Sequence, residues 1–365
     1  MKKKILFTAY NLDIGGIENA LINLLDNINY DKYEVTLILE KKEGEFLNRL
    51  NKNVILKELK VSNCKISFIR KLINFTRKLI FSLSYKNKFD FSCCYATYSY
   101  SSNKLALIGS KNSSIYVHSD YSNYYTKGEY LEFFDSRNID KFNKIIFVSN
   151  ESRMSFLKYY PYLNEKLYVF NNFIDVDKVI QLSKEKIDLR KQPNKTLLVF
   201  IGRLDDSSKK LSRAINLVKN IDDIYLWVIG DGPDRSKYEE LTIKENLSDR
   251  ITFTGSKQNP YCYLKEADFL ILTSDYEGFP VTFLEAIALN KKIITTINVS
   301  DESINIAKQF GYLVSKEEKE MTKQVKEIIK KKETLEKVDL KQIQKERMQN
   351  LEDIFDEVIW CPNLV

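Results

Sequence analysis

Residues 273–290 read TSDYEGFPVTFLEAIALN, and two carboxylates, Glu277 and Glu285, stand there with seven residues between them. The run just before, ADFLIL (267–272), is an apolar block of buried-strand length, and Gly278 ends its pattern. Pro280 suits the first position of a helix, where its missing N–H costs nothing. A strand that runs into a helix N-terminus leaves free backbone N–H groups and a positive dipole end, which favour a diphosphate. Glu277 then falls in the loop at the strand's carboxyl end, and Glu285 more than one turn into the helix. A carboxylate in either place can accept hydrogen bonds from paired sugar hydroxyls.

The Glu, Gly-Phe-Pro, Leu-Glu-Ala pattern of Glu277, Gly278, Phe279, Pro280, Val281 and Glu285 resembles that of the retaining glycosyltransferases of family 4, and the likeness runs along nearly the whole chain. The resemblance implies an α/β protein of the GT-B fold, with two Rossmann-like domains whose parallel sheets face each other across a cleft. It further implies that Glu285 binds the nucleotide ribose and that Glu277 lies by the donor sugar, with Gly278, Phe279, Pro280 and Val281 shaping the donor site. The chain departs from the family downstream of the helix, where NKKIITT (290–296) replaces a common Gly-x-Pro-Val-Ile-Ala.

Working outward, short apolar runs alternate with helix-length segments, the arrangement of parallel βαβ units. One series comprises KILFTAY (4–10), EVTLILE (34–40), FDFSCCY (89–95), SSIYV (113–117) and KIIFVS (144–149). A second comprises TLLVFIG (196–202), IYLWVIG (224–230), RITFTG (250–255), DFLILTS (268–274) and KKIITT (291–296). Two series predict two domains: residues 1–171 on the acceptor side and 196–339 holding the donor. Residues 172–195, polar and without a long apolar run, read as the linker. In the resembling fold the last helix, about 340–365, crosses back to the first domain.

Cations are expected in FIGRLDDSSKKLSRAI (200–215), where Gly202 and Arg203 follow a strand and Lys209 stands about two turns on. A departing nucleoside diphosphate gains negative charge, and fixed cations beside it lower the barrier. Arg203 can fork to two oxygens, whereas a lysine is a point charge. The family's Gly-Arg-Leu-x-x-x-Lys element has one residue fewer before its lysine, so Lys210 rivals Lys209. GDGPDRSKYEEL (230–241) contains Gly232 in a turn like the family's Gly-x-Gly-Pro, and Arg235 replaces the third glycine of a dinucleotide fingerprint, which argues against NAD.

In the first series, His118, the only histidine, directly follows a predicted strand, where open α/β sheets bind ligands. The resemblance places it opposite the donor sugar, with Asp120 as an auxiliary. Gly15 and Gly16, between the first strand and an amphipathic helix, leave helix N–H groups open, and the family has a similar element on the acceptor side. Asp175 and Asp177 could in principle hold a divalent cation, but a helix-cap or linker role is the preferred reading, and no metal is expected.

The chain of 365 residues is 44% hydrophobic and 12% aromatic, enough for two cores. Its 57 basic and 50 acidic residues give a net charge of +7, too modest an excess to indicate nucleic acid. Cys64, Cys93, Cys94, Cys262 and Cys361 form no C-x-x-C pair and read as reduced thiols of a cytoplasmic protein. No apolar run is long enough to span a bilayer, and MKKKILFTAY reads as a first strand rather than a signal peptide. Residues 65–88 carry Lys65, Arg70, Lys71, Arg77, Lys78, Lys86 and Lys88 with no acid, and apolar residues recur among them at helical spacing. A basic amphipathic helix is expected there, either packed as an ordinary domain helix or touching an anionic membrane at the inner face of the cell membrane.

The expected activity is transfer of a sugar from a nucleotide sugar, a UDP-sugar by preference, to a glycan or lipid-linked hydroxyl with retention, without metal or other cofactor. The resemblance points to bacterial surface polysaccharide synthesis. A nucleotide-sugar 2-epimerase of the same fold and a non-catalytic sugar-binding protein are the alternatives.

Overall fold

The computed structural model describes residues 1–59, 62, 64–172, 174–275, 277, 279–296, 309–331 and 340–356. The chain divides into two compact units, Met1–Asn171 joined by the segment from Lys345, and Asn172–Gln344.

In unit 1 the strands are β1 (Lys3–Ala9), β2 (Tyr33–Leu39), β3 (Ile55–Glu58), β4 (Phe91–Cys94), β5 (Ser113–Val117), β6 (Lys144–Phe147) and β7 (Leu167–Val169). They form one parallel sheet in the order β3-β2-β1-β4-β5-β6-β7. Helices α1 (Gly16–Asn27), α2 (Ser67–Tyr85), α3 (Tyr100–Gly109), α4 (Lys127–Asp135) and α5 (Asn150–Leu157) lie between them in the chain. The central strands are buried on both faces, which is why their sequences are continuous apolar runs rather than alternating ones. β3 and β7 were not among the expected strands: β3 is largely exposed at the sheet edge and β7 is only three residues long, so neither carries a buried-strand pattern.

Unit 2 opens with α6 (Val176–Leu182), so part of the stretch read as linker is a helix belonging to this unit. Buried Val176 and Val179 are too few to register as an apolar run. Asp175 caps α6, its carboxylate accepting from the Lys178 N–H at 2.9 Å, and Asp177 pairs with Lys341 at 2.7 Å. The strands β8 (Thr196–Ile201), β9 (Ile224–Ile229), β10 (Ile251–Gly255), β11 (Phe269–Leu272), β12 (Lys292–Thr295) and β13 (Gly311–Leu313) form a second parallel sheet in the order β10-β9-β8-β11-β12-β13. Between them run α7 (Leu211–Asn220), α8 (Arg235–Lys244), α9 (Tyr261–Glu266) and α10 (Val281–Ala288), with α11 (Glu318–Lys330) after β13.

The final helix, α12 (Leu340–Phe355), returns the chain to unit 1. Phe355 sits against Phe91, Tyr33 and Phe7 with ring centroids 5.1, 5.6 and 6.1 Å apart, and Lys3 and Lys32 pair with Asp356 and Glu352, each at 2.8 Å. Residues 357–365 of the expected crossing helix, Cys361 among them, lie outside the described residues.

Candidate functional site

The candidate donor site is built at the carboxyl ends of β8 and β11, neighbouring central strands of unit 2. The loop from β8 to α7 and the loop from β11 to α10 are laced together by backbone and side-chain bonds. The Asp275 N–H donates to Ser208 O at 2.7 Å, Thr273 Oγ1 donates to Lys210 O at 2.8 Å, and Arg213 Nη1 reaches Thr273 O at 2.9 Å and Asp275 Oδ1 at 2.8 Å. Burial pulls the Asp275 carboxyl upward, but hydrogen bonds from Arg213 and Lys316 outweigh it and hold the group below its ordinary value.

On this frame Lys209 Nζ donates to Glu277 Oε1, and the Ser274 hydroxyl donates to the same oxygen at 2.7 Å. The two side chains of the ion pair are mostly buried, 23% and 12% exposed, so solvent screens them only partly. Lys210, the rival, is the N-cap of α7 in a left-handed conformation with φ 49°, and its backbone rather than its side chain ties into the frame. Arg203 is exposed, and its guanidinium makes no hydrogen bond or ion pair among the described residues. Asp205 nearby is held below its ordinary value, first by the Ser207 hydroxyl and, against burial, also by the Ser207 amide and the charges of Arg203 and Lys209.

Glu285 lies on α10 and is 2% exposed, and Tyr261 at the start of α9 donates its hydroxyl to Glu285 Oε1 at 3.1 Å. A carboxylate so buried holds its position by such bonds. Pro280 was expected to be the first helical residue; it is instead the N-cap, extended with ψ 104°, and α10 begins at Val281. The side chains of Phe279, Pro280 and Val281 are all buried, and Phe279 O accepts from Asn172 Nδ2 at 3.4 Å. Gly278 lies outside the described residues.

Two glycines let the β8 and β9 loops approach each other. Gly230 has φ +153°, and a Cβ built on it would lie 1.8 Å from Gly202 O. A Cβ on Gly232 would lie 2.4 Å from Leu204 O. Gly232 is thus demanded by backbone packing against the loop that carries Arg203, while Gly202 itself would meet only ordinary contacts.

Unit 1 carries a second group of candidate residues. His118 follows β5, is 9% exposed, and stacks on Tyr116 with rings 4.8 Å apart and 13° from parallel. Its Nε2 lies 2.9 Å from Tyr95 O, which only accepts, so Nε2 carries the proton and Nδ1 keeps a lone pair that meets no hydrogen-bond partner among the described residues. Burial drives the imidazole pKa down to about 3 against a lesser rise from the Tyr95 carbonyl, so the ring is neutral near pH 7 and can accept a hydrogen bond rather than donate a proton. Asp120 is occupied locally, accepting from the Ser122 amide at 3.0 Å and the Ser155 hydroxyl at 2.7 Å. Gly15 is the N-cap of α1 and Gly16 its first residue. A Cβ at Gly16 would meet nothing within 4 Å, and one at Gly15 only the Glu18 carboxylate. Glu18, not singled out from the sequence, accepts from the Tyr98 hydroxyl at 3.2 Å, and burial raises its pKa. Nor did the sequence mark Tyr261, which acts through Glu285 24 residues away, or Ser274, which acts through nearby Glu277.

Residues 183–345, which contain all the site residues of unit 2, match the family of glycosyl transferases group 1. The matched segment is similar to that family over 163 of the chain's 365 residues. The chain is similar to curated relatives over less than half of their length. An uncharacterized glycosyltransferase of Methanocaldococcus jannaschii is 28% identical over 43% of this chain and 40% of its own length. A Campylobacter jejuni protein, N-acetylgalactosamine-N,N'-diacetylbacillosaminyl-diphospho-undecaprenol 4-alpha-N-acetylgalactosaminyltransferase, is 27% identical over 36% of this chain. The match spans 35% of that relative's length. Among solved structures, Anabaena HepE in complex with UDP and glucose has a TM-score of 0.77 at 16% identity, covering 98% of this chain and 100% of that one. The likeness at this identity is one of fold, and the two Rossmann-like units are those of the GT-B class.

Proposed function

We propose that this protein transfers a sugar from a nucleotide sugar, by preference a UDP-sugar, to a hydroxyl of a glycan or lipid-linked acceptor, with retention at the anomeric carbon. The observation that carries the reading is the Lys209–Glu277 pair at the mouth of β8 and β11, with Arg203 on the same β8–α7 loop as Lys209 and buried Glu285 on the following helix. Glu285 takes the ribose hydroxyls and Glu277 the donor sugar, while Lys209 and Arg203 face the diphosphate. In the reaction the anomeric C–O bond to phosphate breaks, a bond to the acceptor oxygen forms on the same face, and the acceptor proton passes to the departing phosphate. The negative charge left on the diphosphate is what the two cations stabilise.

HepE, whose fold this chain shares, has been captured with UDP and glucose, which supports a uridine donor. The Campylobacter relative's name includes a diphospho-undecaprenol acceptor, which supports a lipid-linked one. Unit 1, with His118 and the Gly15–Gly16 turn, is assigned the acceptor side. The free thiols of Cys93, Cys94 and Cys262 suit a reducing, cytoplasmic setting at the inner membrane face. No metal is invoked, since two cations and a helix N-terminus can offset a diphosphate.

Incubation with a panel of nucleotide sugars, with and without polyprenyl-diphosphate glycans and with excess EDTA, tests the reading. The expected result is acceptor-dependent release of one nucleoside diphosphate, undiminished by EDTA. Interconversion of donors without acceptor would assign an epimerase instead, and activity restored only by a divalent ion would return Asp175 and Asp177 to consideration.

A further inference from the structure

Helix α2 presents its apolar side to solvent. Phe68, Leu72, Phe75, Leu79 and Leu83 are between 51% and 77% exposed. On a helical projection they fall within about 80° of one another, a continuous stripe along the whole helix. The side that packs on unit 1 is different and narrower: buried Phe81 joins Leu6, Ile38 and Leu105, and Tyr85 lies tilted against Phe81 with centroids 4.8 Å apart. An amphipathic helix of a globular domain ordinarily turns its stripe inward, and an apolar patch of this extent on a surface marks something it binds.

The charges around the stripe identify the partner. Exposed Ile69 and Ile80 widen the apolar side beyond the stripe, with Arg77 and Arg70 past that edge and exposed Lys71 past the other, and residues 65–88 contain no acid. A second copy of this chain would bring cation against cation. No helix among the described residues is long and apolar enough to cross a membrane, and the arginines within α2 would forbid it. A helix with a long apolar stripe flanked by cations on both sides has the form that lies in the plane of an anionic lipid surface, its apolar side chains among the acyl chains and its cations at the headgroups.

We propose that α2 is a membrane-docking element that lays Phe68, Leu72, Phe75, Leu79 and Leu83 into the headgroup boundary of an anionic bilayer, with Arg70, Lys71 and Arg77 at the phosphates. The surface belongs to unit 1 and stands independently of any role for unit 2. Its test needs no transferase activity.

Flotation of the full chain with phosphatidylglycerol-containing vesicles at low salt is expected to carry the protein to the lipid fraction, and about 0.5 M salt should release most of it. Pure phosphatidylcholine vesicles should bind at least tenfold less. Each basic residue at an anionic surface contributes roughly fivefold, so reversing Arg70, Lys71 and Arg77 to Glu together should weaken binding a hundredfold or more. Phe75→Ser with Leu79→Ser should weaken it at least tenfold; both residues are exposed, so folding is spared. A tryptophan placed as Phe75→Trp should shift its emission to the blue on adding anionic vesicles. Absence of binding at low salt, equal binding to neutral vesicles, or an unshifted tryptophan would overturn the proposal. A dimer in sedimentation that Leu79→Ser dissolves, without vesicle binding, would give the stripe to a second copy and overturn it likewise.

Discussion

Lys209 and Glu277, 68 residues apart in the chain, meet as an ion pair whose carboxylate oxygen also receives the Ser274 hydroxyl. The pair joins the β8 loop to the β11 loop and fixes a cation beside a carboxylate at one end of the sheet. Because each partner is mostly buried, removing one leaves the other charged and poorly paired.

Lys209→Ala is therefore expected to lower turnover about 10²–10³-fold with a smaller effect on donor binding, since the charge it offsets grows in the transition state. Lys210→Ala should leave turnover near wild type. Lys209→Ala/Glu277→Ala should lose less than the two single losses multiplied together, because the partners act as one unit. Steady-state kinetics of the four variants decides it. A large loss in Lys210→Ala with Lys209→Ala unimpaired would shift the role by one residue.

Glu285 is held by the Tyr261 hydroxyl at 3.1 Å. If it grips ribose hydroxyls, it binds ground and transition states alike, so Glu285→Ala should raise the donor KM with kcat little changed. Tyr261→Phe should raise KM by a smaller factor, about 3–10-fold, by loosening the carboxylate. Unaltered KM in both variants would remove Glu285 from the donor site.

A methyl group at Gly230 would have to occupy space 1.8 Å from Gly202 O, in a backbone conformation that L residues rarely adopt. Gly230→Ala is expected to destabilise the protein by about 3 kcal/mol or more, and Gly232→Ala by about 1–3 kcal/mol. Gly16→Ala, where the space is open, should be neutral within about 0.5 kcal/mol. Urea unfolding measures all three. A stable Gly230→Ala protein would contradict the close approach of the two loops.

His118 carries a pKa of about 3 when folded, against 6.5 for the ordinary imidazole, because burial disfavours its charge. As pH falls below 6.5 the unfolded chain takes up a proton that the folded chain refuses until about pH 3. Stability contributed by the neutral ring is thus complete above pH 6.5 and is lost progressively between 6.5 and 3. The loss at about pH 5 is on the order of 2 kcal/mol relative to neutral pH. In urea titrations at the two pH values, His118→Gln should show a drop smaller by that amount. Identical drops would mean that the ring is not buried as a neutral base.

The sequence by itself determined the class of the fold and singled out most of the candidate donor-site residues. Strands buried on both faces must be continuous apolar runs, so β1, β2, β8, β9 and β11 are legible at sight. The Glu277–Glu285 spacing likewise needs only a strand, a loop and a helix in succession. β3, β7 and β13 escaped because short or exposed edge strands bury too little to leave a pattern, and α6 because its buried face is two valines wide. What only tertiary structure decided are relations between segments distant in the chain. The sequence left Lys209 and Lys210 as rivals; the left-handed turn at Lys210 places its neighbour on Glu277. It showed that Gly232 sits in a turn, but not that Leu204 O fills the space where a side chain would go. It gave α2 an apolar stripe and a basic border without a direction, since periodicity states which residues share a face and packing alone states where that face points. That direction is set by Phe81 and Tyr85, which anchor the helix by its narrow side and turn the broad one to solvent.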